Sequence, residues 1–265
     1  MTSTDEGAAP RVQVVVAHPD DETFGCGAIL LHARALGAVT AVVCATRGEA
    51  GESTVPHDDL GEVREAELRR AARLLGVSRV DVLGFGDSGM SGEAAPTTLW
   101  GAEEADVVAA ISEPVRSFAP DVLVTLDAGD GHRDHERVRD AVLEVADAAG
   151  VPQVYLSCLS RSLMRRWCDH QQLVHPDSPY LDVDELRLGT PDELITTLVD
   201  VRAHRAELDR AMAAHGSQSS PFDDLPDGLT DDFLDTARAR RVVPPWDGGP
   251  IATSLVGPVG RQSEK

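Results

Sequence analysis

Val12-Gln13-Val14-Val15-Val16-Ala17 runs directly into His18-Pro19-Asp20-Asp21-Glu22. The apolar run reads as a buried strand, so the polar stretch falls where that strand ends. Three carboxyl groups and an imidazole crowded there repel one another and cost desolvation energy. Packing does not offset that cost, whereas a divalent cation neutralises the set. His18 and Asp21 are candidate ligands, and Asp20, directed elsewhere, is a candidate base.

Working outward, short apolar runs alternate with helical patterns. Strands are expected over 11–17, 39–46, 80–85, 122–126 and 154–159, and helices over 24–36, 61–75, 103–118 and 134–149. In the helix over 61–75, Val63, Ala66, Ala71 and Leu74 form the expected apolar stripe, with Gly76 as its stop. Pro114 is an expected kink in the next helix. This β-α-β-α order predicts an α/β fold, a mostly parallel sheet with helices on both faces. Ligands bind such sheets at the carboxyl ends of the strands. His18, the loop 47–52, Asp87 and residues 127–135 all follow strands, so they share one edge. Further on, 162–180 reads as an irregular insertion, 195–201 as a strand, and 202–215 and 229–241 as helices. Residues 242–265 read as a mobile tail. With no internal repeat or linker, one domain over 1–265 is expected, its core about 11–220.

The chain has 265 residues, 42% of them apolar, and a net charge of -21. That charge argues against nucleic acid and anionic membranes as partners. No apolar run approaches the roughly 20 residues of a membrane span, and 1–10 lacks the features of a signal peptide. A cytoplasmic protein is expected. Cys26, Cys44, Cys158 and Cys168 form no Cys-x-x-Cys pair and read as reduced, buried thiols. Nothing in the pattern marks an interface, which leaves room for a homo-oligomer.

A second cluster, Gly131-His132-Arg133-Asp134-His135, opens a helix and places His132 and His135 on one face of its first turn. A His-Asp-His ligand set leaves a coordination position for water, the catalytic pattern for zinc, and such water is a nucleophile at neutral pH. Asp20 is the base beside it. His132 is placed to stabilise the oxyanion or protonate a leaving amine, and Asp134 to hold His132.

Several motifs carry a resemblance: Ala17-His18-Pro19-Asp20-Asp21-Glu22, Thr46-Arg47-Gly48-Glu49-Ala50-Gly51, and Gly131-His132-x-Asp134-His135. Arg64-Glu65-x-Glu67, Asp87-Ser88-Gly89-Met90 and Ala214-His215-Gly216-Ser217-Gln218 extend it. Together they resemble the PIG-L/LmbE-like family of zinc-dependent N-deacetylases, closest to its actinobacterial, mycothiol-related branch. The resemblance implies a Rossmann-like fold and removal of an acetyl group from an N-acetylglucosamine-type conjugate, a small-molecule partner. It implies zinc on His18, Asp21 and His135, Asp20 as general base and His132 as electrostatic or acid partner. Fe2+ or another divalent ion is the alternative metal, and a mycothiol-conjugate amidase the alternative activity. Two positions depart from the family: Arg133 replaces its usual Pro, and Asp130 stands where mycothiol-type deacetylases carry Tyr.

Arg47, Glu49, Arg64, Asp87 and Ser88 are the expected substrate contacts, with mutual pairing of Arg47 and Glu49 as the plainer alternative. Glu22 is expected to orient His18, His215 to cap a helix, and Arg161, Arg165 and Arg166 to be surface charge or an anion site. Two rival classes share the pattern. A non-haem iron oxygenase also uses two His and a carboxylate. A non-enzymatic metal or sugar binder needs neither base nor acid.

Overall fold

The computed structural model describes residues 8–176 and 188–256. The chain opens with β1 (Arg11–Val16), α1 (Asp21–Phe24), α2 (Gly27–Ala35), β2 (Val39–Cys44), α3 (Leu60–Leu75) and β3 (Arg79–Val82). It continues with α4 (Glu104–Phe118), β4 (Val122–Leu126), α5 (Arg133–Ala149), β5 (Gln153–Ser157) and α6 (Arg161–Val174). It closes with β6 (Thr197–Asp200), α7 (Arg205–Met212), α8 (Asp227–Leu234) and β7 (Thr236–Val243).

Seven strands form one sheet in the order β3-β2-β1-β4-β5-β7-β6. The first five run parallel, and β7 enters antiparallel between β5 and β6. A parallel sheet is covered on both faces, so its strands are apolar on both sides. In β1, Val14 and Val16 pack with Ile29, Leu30, Leu68 and Leu208 on one face. Val15 packs with Val107, Ile111 and Val142 on the other. Connections leave β1 towards β2 on one side, and the chain returns on the other side through β4. The sheet therefore opens a crevice at the carboxyl end of β1, where such folds bind ligands. Among the described residues no helix is long and apolar enough to cross a membrane. All four cysteines are free and buried.

The structure corrects several expectations. The helix expected over 24–36 is two helices, broken at Gly25 and Cys26. A side chain at Gly25 would meet Leu126 at 2.6 Å, which keeps that corner bare. α3 buries a different face from the stripe expected: Arg64, Glu67, Leu68, Ala71 and Leu75 point inward, while Ala66 and Leu74 are exposed. Two charged residues inside that face hid it from a purely hydrophobic pattern. The segment expected as an irregular insertion holds α6, capped by Ser160 through the Leu163 amide; its residues 177–180 lie outside the described residues. The helix expected over 229–241 is α8 followed by β7. Ala and Arg there favour a helix, and pairing with two neighbours overrides that preference. The expected tail is tied down at Ala252, which pairs with Thr197, and at Leu255, which is buried; residues 257–265 lie outside the described residues.

The buried face of α3 is directly testable. Leu68→Ala is expected to cost about 2–5 kcal/mol of stability, and Leu74→Ala to stay within about 0.5 kcal/mol. Urea denaturation of both variants decides: a larger loss at Leu74 than at Leu68 would place the helix in the orientation expected from its sequence stripe.

Candidate active site

His18 leaves the carboxyl end of β1, and the next residues turn sharply. Asp20 adopts φ 113°, a region that a non-glycine residue occupies only when its surroundings hold it there. Three contacts do so. The Asp20 amide donates to Glu22 Oε2 at 2.9 Å, and the Thr23 and Phe24 amides both donate to the Asp20 carbonyl at 2.8 Å. Arg64, reaching in from α3, donates to Asp20 Oδ2 at 2.9 Å, to the Pro19 carbonyl at 2.6 Å and to the Gly48 carbonyl at 2.6 Å. Gly48 and Gly51 leave room for that guanidinium: a Cβ on them would stand 2.4 and 2.3 Å from its Nη1.

Beside Asp20, three atoms form a compact triangle. His18 Nδ1 lies 3.5 Å from Asp21 Oδ2, His135 Nε2 lies 3.2 Å from the same oxygen, and the two nitrogens are 3.3 Å apart. Ligands about 2.0–2.1 Å from a tetrahedral zinc ion stand roughly 3.3–3.4 Å from one another. The opposite nitrogen of each imidazole meets a carboxylate. His18 Nε2 faces Asp134 Oδ2 at 3.2 Å and Asp87 Oδ1 at 3.5 Å, and His135 Nδ1 faces Asp130 Oδ2 at 2.6 Å. Carboxylates behind ligand histidines fix ring orientation and raise basicity. The donor set therefore fits a divalent cation. His18, Asp87 and Asp134 also lie close enough to group around an ion, as do His18, His132 and His135.

The electrostatics agree. Burial alone pushes His135 down, yet Asp21 and Asp130 carry it up to about 10. Burial likewise opposes His18, yet Asp134, Asp21 and Asp87 hold it well above the usual histidine range. Surroundings that favour positive charge at two buried imidazoles also favour a cation held between them. Asp20 is pushed up to about 6 by burial and by the neighbouring Asp21, against the pull of Arg64. His132 is pushed down to about 4 by burial and by the charges of His18 and His135. It is the N-cap of α5, and its Nδ1 accepts the Asp134 amide at 3.1 Å, which leaves the proton of the neutral ring on Nε2.

The expected ligands, base and His132 thus come together. The roles expected around them shift. The Asp134 carboxylate serves His18 and the Ser88 amide (3.0 Å), not His132. Glu22 holds the Asp20 amide and His215 Nε2 (2.9 Å), not His18. His215, expected to cap a helix, is buried with its Nε2 against Glu22 and Thr23. Arg64 is only 4% exposed and is spent on Asp20 and backbone carbonyls. Arg47 pairs with Glu65 and Glu49 accepts the Asp87 amide, so the two do not pair with each other. The Ser88 hydroxyl accepts the Trp100 amide. Arg161 and Arg166 lie on α6, bound to the Gly189 carbonyl and to Asp232.

Three stretches singled out in the sequence have roles that it did not disclose. Asp130, five residues before His135, braces it. The Ala-His-Gly-Ser-Gln stretch delivers His215 to Glu22 and Ser217 to Glu67 (2.7 Å). Arg133 donates to the carbonyls of Ser88, Gly89, Ser91 and Gly92, fastening the loop that carries Asp87.

A profile of the family described as GlcNAc-PI de-N-acetylase, PIG-L, matches residues 13–146. The chain is also 36% identical, over 88% of its length and 92% of the relative's, to the 1D-myo-inositol 2-acetamido-2-deoxy-alpha-D-glucopyranoside deacetylase of Geodermatophilus obscurus. It belongs to the PIG-L family. A protein of the same name from Thermomonospora curvata is 32% identical over 82% of both chains. The PIG-L fold of this chain is shared with the A40926 pseudoaglycone deacetylase Dbv21 (TM-score 0.58, 22% identity, 87% of this chain and 96% of that one). It is shared equally with GalB, a 4-carboxy-2-hydroxymuconate hydratase (TM-score 0.60, 16% identity, 91% and 99%). A fold that serves both leaves the chemistry to the side chains.

Two consequences follow for the braces. Asp130→Asn is expected to weaken divalent-metal binding about 10–100-fold, read by competition with a chromophoric chelator. Arg133→Ala is expected to speed amide exchange across 88–92 while leaving exchange in β1 and β4 unchanged; unchanged loop exchange would remove Arg133 as the fastener.

Proposed function

We propose that the protein is a zinc-dependent hydrolase that removes the N-acetyl group of an N-acetylglucosamine-type conjugate. The observation that carries this is the triangle of His18 Nδ1, Asp21 Oδ2 and His135 Nε2 with Asp20 on one side and His132 nearby. Zinc held by these three residues supplies Lewis-acid polarisation of the amide and water acidic enough to ionise near neutral pH.

The chain's own residues supply the proton traffic. Asp20, its acidity shifted to about 6, takes the proton of the attacking water. Arg64 and Glu22 fix the direction from which it does so. His132, neutral with its proton on Nε2, donates to the oxygen that gains charge as the carbonyl carbon becomes tetrahedral. A proton returned to the amide nitrogen then lets the C–N bond break, giving acetate and a free amine. Asp134, Asp87 and Asp130 hold the ligand imidazoles still. The inositol conjugate named for the relatives is the proposed substrate, with the sugar towards Arg47, Glu49 and the loop after β3.

An iron oxygenase needs open positions for oxygen and a co-substrate, and here a carboxylate base and a third imidazole flank the triangle. The decisive experiment measures acetate released from the inositol conjugate by zinc-loaded protein. Release is expected to stop on chelation and return with zinc, without oxygen consumption. Asp20→Asn is expected to lower kcat about 10²–10⁴-fold with zinc content and KM retained. Full turnover in that variant would remove Asp20 as the base.

A further inference from the structure

A cavity of about 430 Å³ opens beside the triangle, and Asp20, Asp21 and Asp130 form part of its wall. It lies on the β4–β5 side of β1. Beyond those carboxylates the wall is mainly apolar, with Phe24, Met164, Trp167, Phe222 and Phe233 among its residues. Phe24, Phe222 and Phe233 form a continuous aromatic run, with centroids 6.2 and 5.6 Å apart. Several polar side chains on the wall are committed elsewhere. Asp127 accepts the Thr190 hydroxyl, Arg238 donates to the carbonyls of Asp232 and Thr236, and Ser157 donates to the Gly25 carbonyl. Sugar hydroxyls placed against this mainly apolar wall would lose water and gain few partners. Arg47, Glu49, Asp87 and Ser88 lie at the ends of β2 and β3, and none of them lines this cavity.

The two sides of an amide at the triangle are thereby sorted: a polar amine side towards β2 and β3, an apolar side towards β4 and β5. An acetyl methyl leaves most of such a cavity unused, and ligand pockets of this size bury most of their ligand. We propose that the protein also hydrolyses N-acyl amino sugars whose acyl group is apolar and larger than acetyl, with the acyl tail in this cavity. This rests on the amide hydrolase function proposed above. Water adds its oxygen to the acyl carbon, the C–N bond breaks, the nitrogen takes a proton, and a fatty or arylalkanoic acid leaves with the free amino sugar. No further reactant is needed.

The test is a chain-length series on the zinc-loaded protein: N-acetyl-, N-butanoyl-, N-hexanoyl- and N-phenylacetylglucosamine, read by the amine released. Burial of successive methylenes predicts a rise in kcat/KM of about threefold for each, through hexanoyl. Leu163→Trp and Ala28→Leu narrow the cavity from two different helices, and each is expected to bring the hexanoyl-to-acetyl ratio down to about one. Hexanoate is expected to change tryptophan emission in the wild type, through Trp167, where acetate does not. Rates that fall with chain length while N-acetyl is cleaved overturn the proposal and leave the deacetylase standing. Amine from none of the four overturns this proposal, and the hydrolase reading falls with it only if the inositol conjugate also releases no acetate. A rise on octyl N-acetylglucosaminide in place of the hexanoyl amide overturns it too, because the apolar group then belongs to the amine side.

Discussion

Repulsion among carboxylates at the end of β1 is the constraint on which the rest of the structure depends. Asp20, Asp21, Asp87, Asp130 and Asp134 converge on a space shared with His18, His132 and His135. Two like charges 4 Å apart in a protein interior cost about 4 kcal/mol at an effective dielectric constant of 20. Four of the five therefore take a backbone amide as well as an imidazole, and Asp20 takes the Arg64 guanidinium. Asp21 accepts the His18 amide at 2.8 Å, Asp87 the Gly89 amide at 2.8 Å, Asp130 the His132 amide at 3.1 Å and Asp134 the Ser88 amide at 3.0 Å. These amides belong to the loops after β1, β3 and β4. The groups that gather positive charge are the same groups that stitch those loops together, so scaffold and site are one network.

That unity explains what the sequence disclosed. His18 and Asp21 sit next to an unmistakable strand, and His135 sits at the start of a strongly periodic helix. Local pattern was enough to put all three on one sheet edge, and β4 over 122–126 was legible residue for residue. Reading failed where a residue works by facing the wrong way for its type. Arg64 and Glu67 point into the protein because the site uses them, and an apolar stripe drawn through α3 rotates past both. Consistency between pattern and structure breaks at functional positions for this reason. Glu22 and His215 meet across 193 residues, a contact with no local signal at all. β7 is another case: its strand conformation comes from β5 and β6, not from its own Ala and Arg.

α3 connects these failures into a single mechanical element. Arg64 and Glu67 stand one turn apart on its inward face. Arg64 grips the Asp20 carboxylate and the Pro19 carbonyl. Glu67 grips the Ser217 amide at 2.9 Å and its hydroxyl at 2.7 Å, fixing the segment that presents His215. His215 then holds Glu22, and Glu22 holds the Asp20 amide. The left-handed backbone of Asp20 is thus clamped from its carboxylate by one residue of α3 and from its amide by a chain that ends on another. Strain of order 1–3 kcal/mol at one residue persists only when surroundings over-determine it, and here two routes from the same helix do so. The consequence reaches the chemistry. Loosening either route lets Asp20 relax towards ordinary φ, turning its carboxylate away from the triangle even though His18, Asp21 and His135 stay in place. A carboxylate whose acidity is balanced between burial, Asp21 and Arg64 keeps that balance only in the clamped position, so the strained turn sets both where Asp20 points and how readily it takes a proton.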